Sequence, residues 1–125
     1  MLVHIVEDDE AVADALALAL ADLDHLPKIY EDGETFLEQA DLLASHCVIV
    51  DLGLPGMSGA DIVKKLRKQP DPPNIIVISG KSRVKLMRHL NEVPELTVLR
   101  KPLSMEMLAS AMAKIGRGVA KPRST

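Results

Sequence analysis

Tryptophan is absent from the 125 residues, and one tyrosine (Tyr30) and one phenylalanine (Phe36) complete the aromatic set. So small a set excludes recognition built on stacking bases or sugars against aromatic rings. One cysteine, Cys47, leaves no intrachain disulfide framework and makes the cytoplasm the expected compartment. No apolar run approaches the ~20 residues needed to span a membrane as a helix. The short apolar start at Met1-Leu2-Val3 is broken by His4 and gives way to Glu7-Asp8-Asp9-Glu10, which is not a secretory signal. Positive charge is in deficit: 15 Lys and Arg against 18 Asp and Glu give a net charge of −3, which argues against general nucleic-acid binding. Internal repeats and low-complexity tracts are also missing. What remains is 47% hydrophobic and 26% charged, the balance of a globular chain long enough for one domain. That domain is expected over residues 1–116, with the polar, basic stretch 117–125 as a flexible tail or the start of a linker.

Four strand-length apolar runs stand out: Leu2–Val6, Cys47–Val50, Ile75–Ile78 and Thr97–Leu99. They are β-branched and continuous rather than alternating, as strands buried on both faces are. Lys28-Ile29-Tyr30 is a fainter fifth. Between them lie helical stripes: Val12, Leu16, Leu20 and Leu23; Phe36, Leu37 and Ala40; Ile62, Val63 and Leu66; Val84, Met87 and Leu90; Met105, Leu108, Met112 and Ile115. Ser58 and Ser104 have the character of N-caps and Gly116 that of a stop. Five β-α units in succession predict a parallel sheet with helices on both faces and right-handed crossovers.

In an open parallel sheet, ligands bind beyond the carboxyl ends of the strands. The residues that follow each strand are therefore informative. Glu7-Asp8-Asp9 follow the first, Asp51 ends the run beginning at Cys47, Ser79-Gly80 follow the next, and Arg100-Lys101-Pro102 follow the last. Acids, one hydroxyl and one lysine thus meet on a single edge. Facing carboxylates suit a hard divalent cation such as Mg²⁺. A carboxylate can also attack phosphorus to give an aspartyl phosphate, and the phosphoryl oxygens then need neutralising charge, available from Lys101, Ser79 and the metal. Gly53, Pro55, Gly56 and Gly59 would bring backbone close to such a ligand.

With these residues in place, the chain resembles the receiver domain of two-component response regulators. The resemblance runs from Val3 to about Ile115. It is carried by Glu7-Asp8, by Val50-Asp51-Leu52-Gly53-Leu54-Pro55-Gly56-Met57-Ser58-Gly59, by Ile78-Ser79-Gly80 and by Lys101-Pro102, in that order. It implies a flavodoxin-like (βα)5 doubly wound sheet of strand order 2-1-3-4-5. It implies Asp51 as phosphoacceptor, Asp8 and Asp51 as direct Mg²⁺ ligands with the Gly53 carbonyl, and Glu7 acting through water. Lys101 would pair with Asp51 and later with the phosphate, across a cis Lys101–Pro102 bond, and Ser79 would bond a phosphate oxygen. The donor would be a sensor histidine kinase or a histidine phosphotransferase. An output protein would meet the fourth predicted helix, the fifth strand and the fifth helix, with no direct contact to nucleic acid or membrane. Such a domain catalyses only its own phosphorylation and dephosphorylation.

Plainer readings exist for each residue. Asp9 and Glu10 read as N-cap and first-turn acids of the first helix. Glu7 and Asp8 could be read the same way, but that leaves Asp51 and Lys101 on the same edge unexplained. His4, His25, His46 and His89 share no metal-ligand spacing and are expected in structural or surface roles. Cys47 and the methionines read as core, and Lys81, Lys85 and Arg88 as a solvated basic face. A Mg²⁺-dependent phosphohydrolase would need a second Asp where Gly53 stands. A binding-only pseudo-receiver would not need Glu7, Asp8, Asp51, Ser79 and Lys101 together. A flavin-binding domain would need a hydroxyl-rich loop after the first strand. A stand-alone receiver is the expectation, and a receiver followed by a transcriptional output domain beyond Thr125 is the alternative.

One position departs from the resemblance. Receivers carry Tyr or Phe three residues before the lysine, and here Val98 stands there, stiff at χ1 and without a ring to swing. The expected readout of phosphorylation is therefore through Ser79 and a shift of Gly80–Leu90.

Overall fold

A computed structural model describes residues 1–53, 59–80 and 97–120. Five strands are present among them: β1 (Leu2–Val6), β2 (Leu26–Tyr30), β3 (Cys47–Asp51), β4 (Asn74–Ser79) and β5 (Thr97–Arg100). Four helices accompany them: α1 (Glu10–Asp22), α2 (Gly33–Gln39), α3 (Gly59–Arg67) and α4 (Met105–Ala120). All pairings are parallel and the order is β2-β1-β3-β4-β5, as expected. The fourth predicted helix, Ser58 and the basic face of Lys81, Lys85 and Arg88 lie outside the described residues.

Side chains alternate between two cores, because successive residues of a strand point to opposite faces. Val3, Ile5, Cys47, Ile49, Ile76 and Ile78 pack with Leu16 and Leu20 of α1 and Leu108 and Met112 of α4. Val6, Val48, Val50, Ile75 and Val77 pack with Phe36 of α2 and Ile62, Val63 and Leu66 of α3. The strands lack alternation in sequence because both of their faces are covered. Cys47 is fully buried, and burial raises its thiol to about 12, so it is an inert core residue.

Local chemistry sets the ends of the helices. Asp9 Oδ1 accepts the N–H groups of Ala11 and Val12 at 3.0 and 3.2 Å and caps α1. Asp32 does the same for α2 through Thr35, and Ser104 Oγ accepts the Met107 N–H at 3.1 Å in α4. Asp24 takes a left-handed φ of 65° on the way from α1 to β2, a conformation that Asp tolerates.

Three details differ from expectation. β2 begins at Leu26 and takes in Pro27, which pairs in register with Val3. Proline is tolerated there because β2 is an edge strand, and the Leu26 N–H, not that of residue 27, bonds across to Met1 at 3.0 Å. Gly116 does not stop α4, which runs on to Ala120, so the expected tail 117–125 starts as helix. A glycine ends a helix only if its own backbone turns left-handed; inside an established helix it costs about 1 kcal/mol and is passed over. Met105, placed on the core stripe, is 44% exposed in the first turn of α4.

Gly59 opens α3 against the end of β3. A Cβ there would meet the Asp51 carbonyl oxygen and come within 2.7 Å of Leu52 Cα, both of them backbone that cannot swing aside. Gly59→Ala should therefore lower stability by about 2 kcal/mol in chemical denaturation, the usual penalty for forcing atoms into a packed site. A loss below about 0.5 kcal/mol would mean that α3 shifts freely, against this packing.

Candidate functional site

The ladder of the sheet continues one residue past several strand ends, and that continuation holds the charged residues in place. The Glu7 N–H donates to the Tyr30 carbonyl at 3.1 Å, the Leu52 N–H to Ile78 at 3.0 Å and the Lys101 N–H to Ser79 at 2.9 Å. Glu7, Asp51 and Lys101 thus leave the sheet from backbone anchored on its neighbours. Residues from three distant segments, Glu7-Asp8, Asp51 and Lys101, come together at the carboxyl edge of β1 and β3.

Lys101 Nζ is 3.0 Å from Glu7 Oε1 and 3.0 Å from Asp51 Oδ2. The other oxygens are held by backbone: Glu7 Oε2 accepts the Asp9 N–H at 3.3 Å, and Asp51 Oδ1 accepts the Gly53 N–H at 2.9 Å. Glu7 and Asp51 are 1% and 5% exposed, whereas Asp8 is open to solvent. One carboxylate oxygen from each of Glu7, Asp8 and Asp51 can be chosen so that all three lie within 4.8 Å of one another. Hard oxygen donors, one of them facing water, fit a small divalent cation that keeps part of its hydration shell. The Lys101–Pro102 peptide is cis, as the resemblance implied. Ser79 is buried at the end of β4, 1% exposed. Val98 is half-buried against the α2–α3 core. Residues 81–90 of the expected readout segment lie outside the described residues.

The two buried carboxyls hold their protons unequally. Burial, then a hydrogen bond with Asp51, pushes Glu7 up to about 7 against the pull of Lys101. Burial also works against charge on Asp51, but its bonds from Glu7, from the Gly53 N–H and from Lys101 outweigh burial and hold it below the usual carboxylate range. The Lys101 ammonium loses by burial and gains more from Glu7 and Asp51, so it is held above its ordinary value. The arrangement at neutral pH is one ionised Asp51, one ammonium and a Glu7 poised to lose its proton.

Sequence reasoning placed these residues on one edge but missed three features. It gave no sign that the Gly53 N–H bonds Asp51. It did not pair His4 with His46, which are 42 positions apart and 3.1 Å apart in the fold. It also did not show a groove of about 700 Å³ between α1 and α4, which begins beside Lys101 and is lined by Ala11, Ala15, Ala19, Leu103, Met105 and Leu108. The small residues of α1 at four-residue spacing were the available signal for the groove.

Glu7 makes a pH-dependent contribution in the metal-free protein. Its folded value lies above the ordinary 4.5, so the folded state holds the proton more tightly. The resulting stabilisation is complete below pH 4.5 and is lost as the pH rises through 7. Denaturation curves at pH 5, 6, 7 and 8 should show stability falling across that window in the native protein, and a flatter profile in Glu7→Gln. An equal slope in both would remove Glu7 as the source.

A family model describing the response regulator receiver domain matches residues 3–113. Sensory transduction protein RegX3 of Mycobacterium tuberculosis is 34% identical over 116 residues, covering 93% of this chain and 51% of that protein. Transcriptional regulatory protein FixJ of Bradyrhizobium diazoefficiens is 25% identical over 108 residues, covering 86% of this chain and 53% of that protein. The chain thus spans about half the length of these curated relatives. Among solved structures, a CheY-like response regulator receiver domain from Methylobacillus flagellatus has a TM-score of 0.80 at 26% identity, covering 92% of this chain and 98% of that one. The BeF3-activated DrrB receiver domain has a TM-score of 0.81 at 21% identity, covering 93% and 97%, which shows the shared fold.

Proposed function

The chain belongs to the response regulator receiver domain family, and from that premise we propose that Asp51 accepts a phosphoryl group from a phosphohistidine donor and that the modified edge switches protein contacts. The observation that carries this reading is Asp51 itself: an ionised carboxylate, nearly buried, 3.0 Å from an ammonium and beside two further acids.

The reaction follows from that setting. A carboxylate oxygen of Asp51 attacks phosphorus in line with the N–P bond of the donor; the O–P bond forms as the N–P bond breaks, and the histidine nitrogen leaves with the electron pair. Lys101, already beside Asp51, meets the charge on the phosphoryl oxygens without reorganisation. Ser79 donates its hydroxyl to a phosphate oxygen. Asp8, Asp51 and the Gly53 carbonyl would hold Mg²⁺ directly, with Glu7 acting through water. When bound, the cation supplies positive charge toward the phosphoryl oxygens. Water attack on the acyl phosphate returns Asp51 and inorganic phosphate, so the domain turns over only its own modification.

Intact mass after incubation with Mg²⁺ and acetyl phosphate should show a gain of one phosphoryl group, and Asp51→Asn should show none. Labelling of that variant to the native extent would refute the acceptor assignment. Asp8→Asn should weaken the metal titration of labelling by about tenfold, the loss of one good oxygen ligand; an unchanged titration would remove Asp8 from the metal site.

The groove between α1 and α4 supports a place for the donor. It is apolar, opens beside Lys101, and the alanines of α1 allow an amphipathic helix to approach closely. Ala15→Arg, on the exposed side of α1, should slow transfer from a phosphohistidine protein by about tenfold, or 1.4 kcal/mol, while labelling by acetyl phosphate is unchanged. Equal slowing with both donors would mean the substitution disturbs the site itself. The β5–α4 side is left for the output partner.

A further inference from the structure

Charge is segregated along the chain in a way that the net value conceals. Lys28 is the only Lys or Arg in residues 1–63, whereas most of the Asp and Glu lie there. The sheet carries this order into space, with β2, β1 and β3 toward one side and β4 and β5 toward the other. The two kinds of charge meet on one face, where α2 and α3 cover the core of Phe36, Ile62, Val63 and Leu66.

The α2 segment is acidic throughout. Glu31, Asp32, Glu34, Glu38 and Asp41 fall within the helix or beside it, and residues 29–63 contain no cation. Glu38 is exposed, two positions from the buried Phe36 and so on the outer side of the helix. α3 begins with one acid, Asp61, and then carries Lys64, Lys65 and Arg67, with Lys68 directly after its end. All four cations are exposed, and Lys64 and Lys68 stand one turn apart, away from Ile62, Val63 and Leu66. Glu34, Asp61 and Lys64 take part in interactions within the chain, whereas Glu38, Lys65, Arg67 and Lys68 make no ion pair among the described residues.

An acidic stripe beside a basic one makes this face complementary to itself. A purely cationic partner would be drawn to α2 and repelled by α3, and a purely anionic one the reverse. A second copy, turned about a two-fold axis that runs between the two helices, sets each α2 against the other copy's α3. Two equivalent attractive contacts then form, and the assembly closes at two. Apolar area adjoins the acidic stripe. Leu26, which alternation places on the same side of the sheet as Tyr30, is 67% exposed, and Leu43, in the link that leaves α2, is 57% exposed.

We propose that this chain pairs with a second copy of itself through the α2–α3 face. The α1–α4 groove lies on the opposite side of the sheet, so the pairing leaves it open and is independent of the phosphotransfer reading. The contact is narrow and built on exposed charge, which makes the dimer weak and sensitive to salt.

Sedimentation velocity of the intact chain tests the pairing. At about 0.5 mM protein and about 20 mM salt a dimer should be present, and its dissociation constant should rise at least tenfold at about 300 mM salt. Glu38→Lys and Lys68→Glu should each be monomeric under the low-salt condition. An equal mixture of the two variants should restore the dimer, because each of its two contacts again joins one acid and one cation. Lys114→Glu, the same charge change on exposed α4, should leave the native dimer intact. Folding of every variant is checked by its circular dichroism spectrum, and recovery in the mixture itself requires folded partners. A native chain that stays monomeric at low salt would overturn the proposal. So would a dimer indifferent to Glu38→Lys and Lys68→Glu, a mixture that fails to recover, or equal loss with Lys114→Glu. Species that grow beyond two copies with concentration would replace the two-fold pair by an open head-to-tail chain and overturn it as well.

Discussion

One ammonium holds two carboxyls at the carboxyl end of the sheet. Lys101 Nζ, 3.0 Å from Glu7 and 3.0 Å from Asp51, makes it possible for two acids to be buried side by side. Without that cation, the pair would combine like-charge repulsion with the desolvation of both groups, the situation in which one member gives up its charge. Even with it, Glu7 is pushed to about 7 while Asp51 stays ionised. The asymmetry leaves Asp51 as the ionised carboxylate beside the ammonium and Glu7 as the neighbour that more readily holds a proton.

The ladder explains why this arrangement is rigid. Glu7, Leu52 and Lys101 are each bonded through their own N–H to the adjoining strand, so the side chains project from backbone that the sheet has already ordered. Gly59 brings the start of α3 against the backbone of Asp51 and Leu52, closing the loop side of the site with atoms that have no freedom to move. Preorganisation of this kind is what the phosphoryl transfer proposed above would need, because such chemistry asks little covalent work of the protein beyond an oxygen. Its contribution is position and charge.

The two faces of the sheet are put to different uses. The α1–α4 side is apolar and open beside Lys101, a surface suited to a partner helix. The α2–α3 side is closed over Phe36 and carries the buried hydrogen-bonded chain of Tyr30, His4 and His46.

Much of this was legible before the fold was known. Runs such as Cys47–Val50 and Ile75–Ile78 are long enough for strands and continuous because both their faces are covered. Parallel connectivity then forces Glu7, Asp51, Ser79 and Lys101 onto one edge, since every strand ends on the same side. Asp9 and Ser104 announce their helices by local hydrogen bonding, which depends only on near neighbours. Pro27 inside β2 and the passage of α4 through Gly116 were not legible, because edge position and helix continuation are settled by what packs nearby. The histidine pair was hidden for the same reason. His4 and His46 share no spacing, and only the register of β1 beside β3, with His4 opposite Val48, brings them within a hydrogen bond. By itself the sequence determined which residue types stand at the strand ends, because strand length and alternation are local properties of the chain. Tertiary structure alone decided which oxygen Lys101 touches, which carboxyl keeps its proton and which remote histidine His4 meets, because distance and burial between remote segments set those energies.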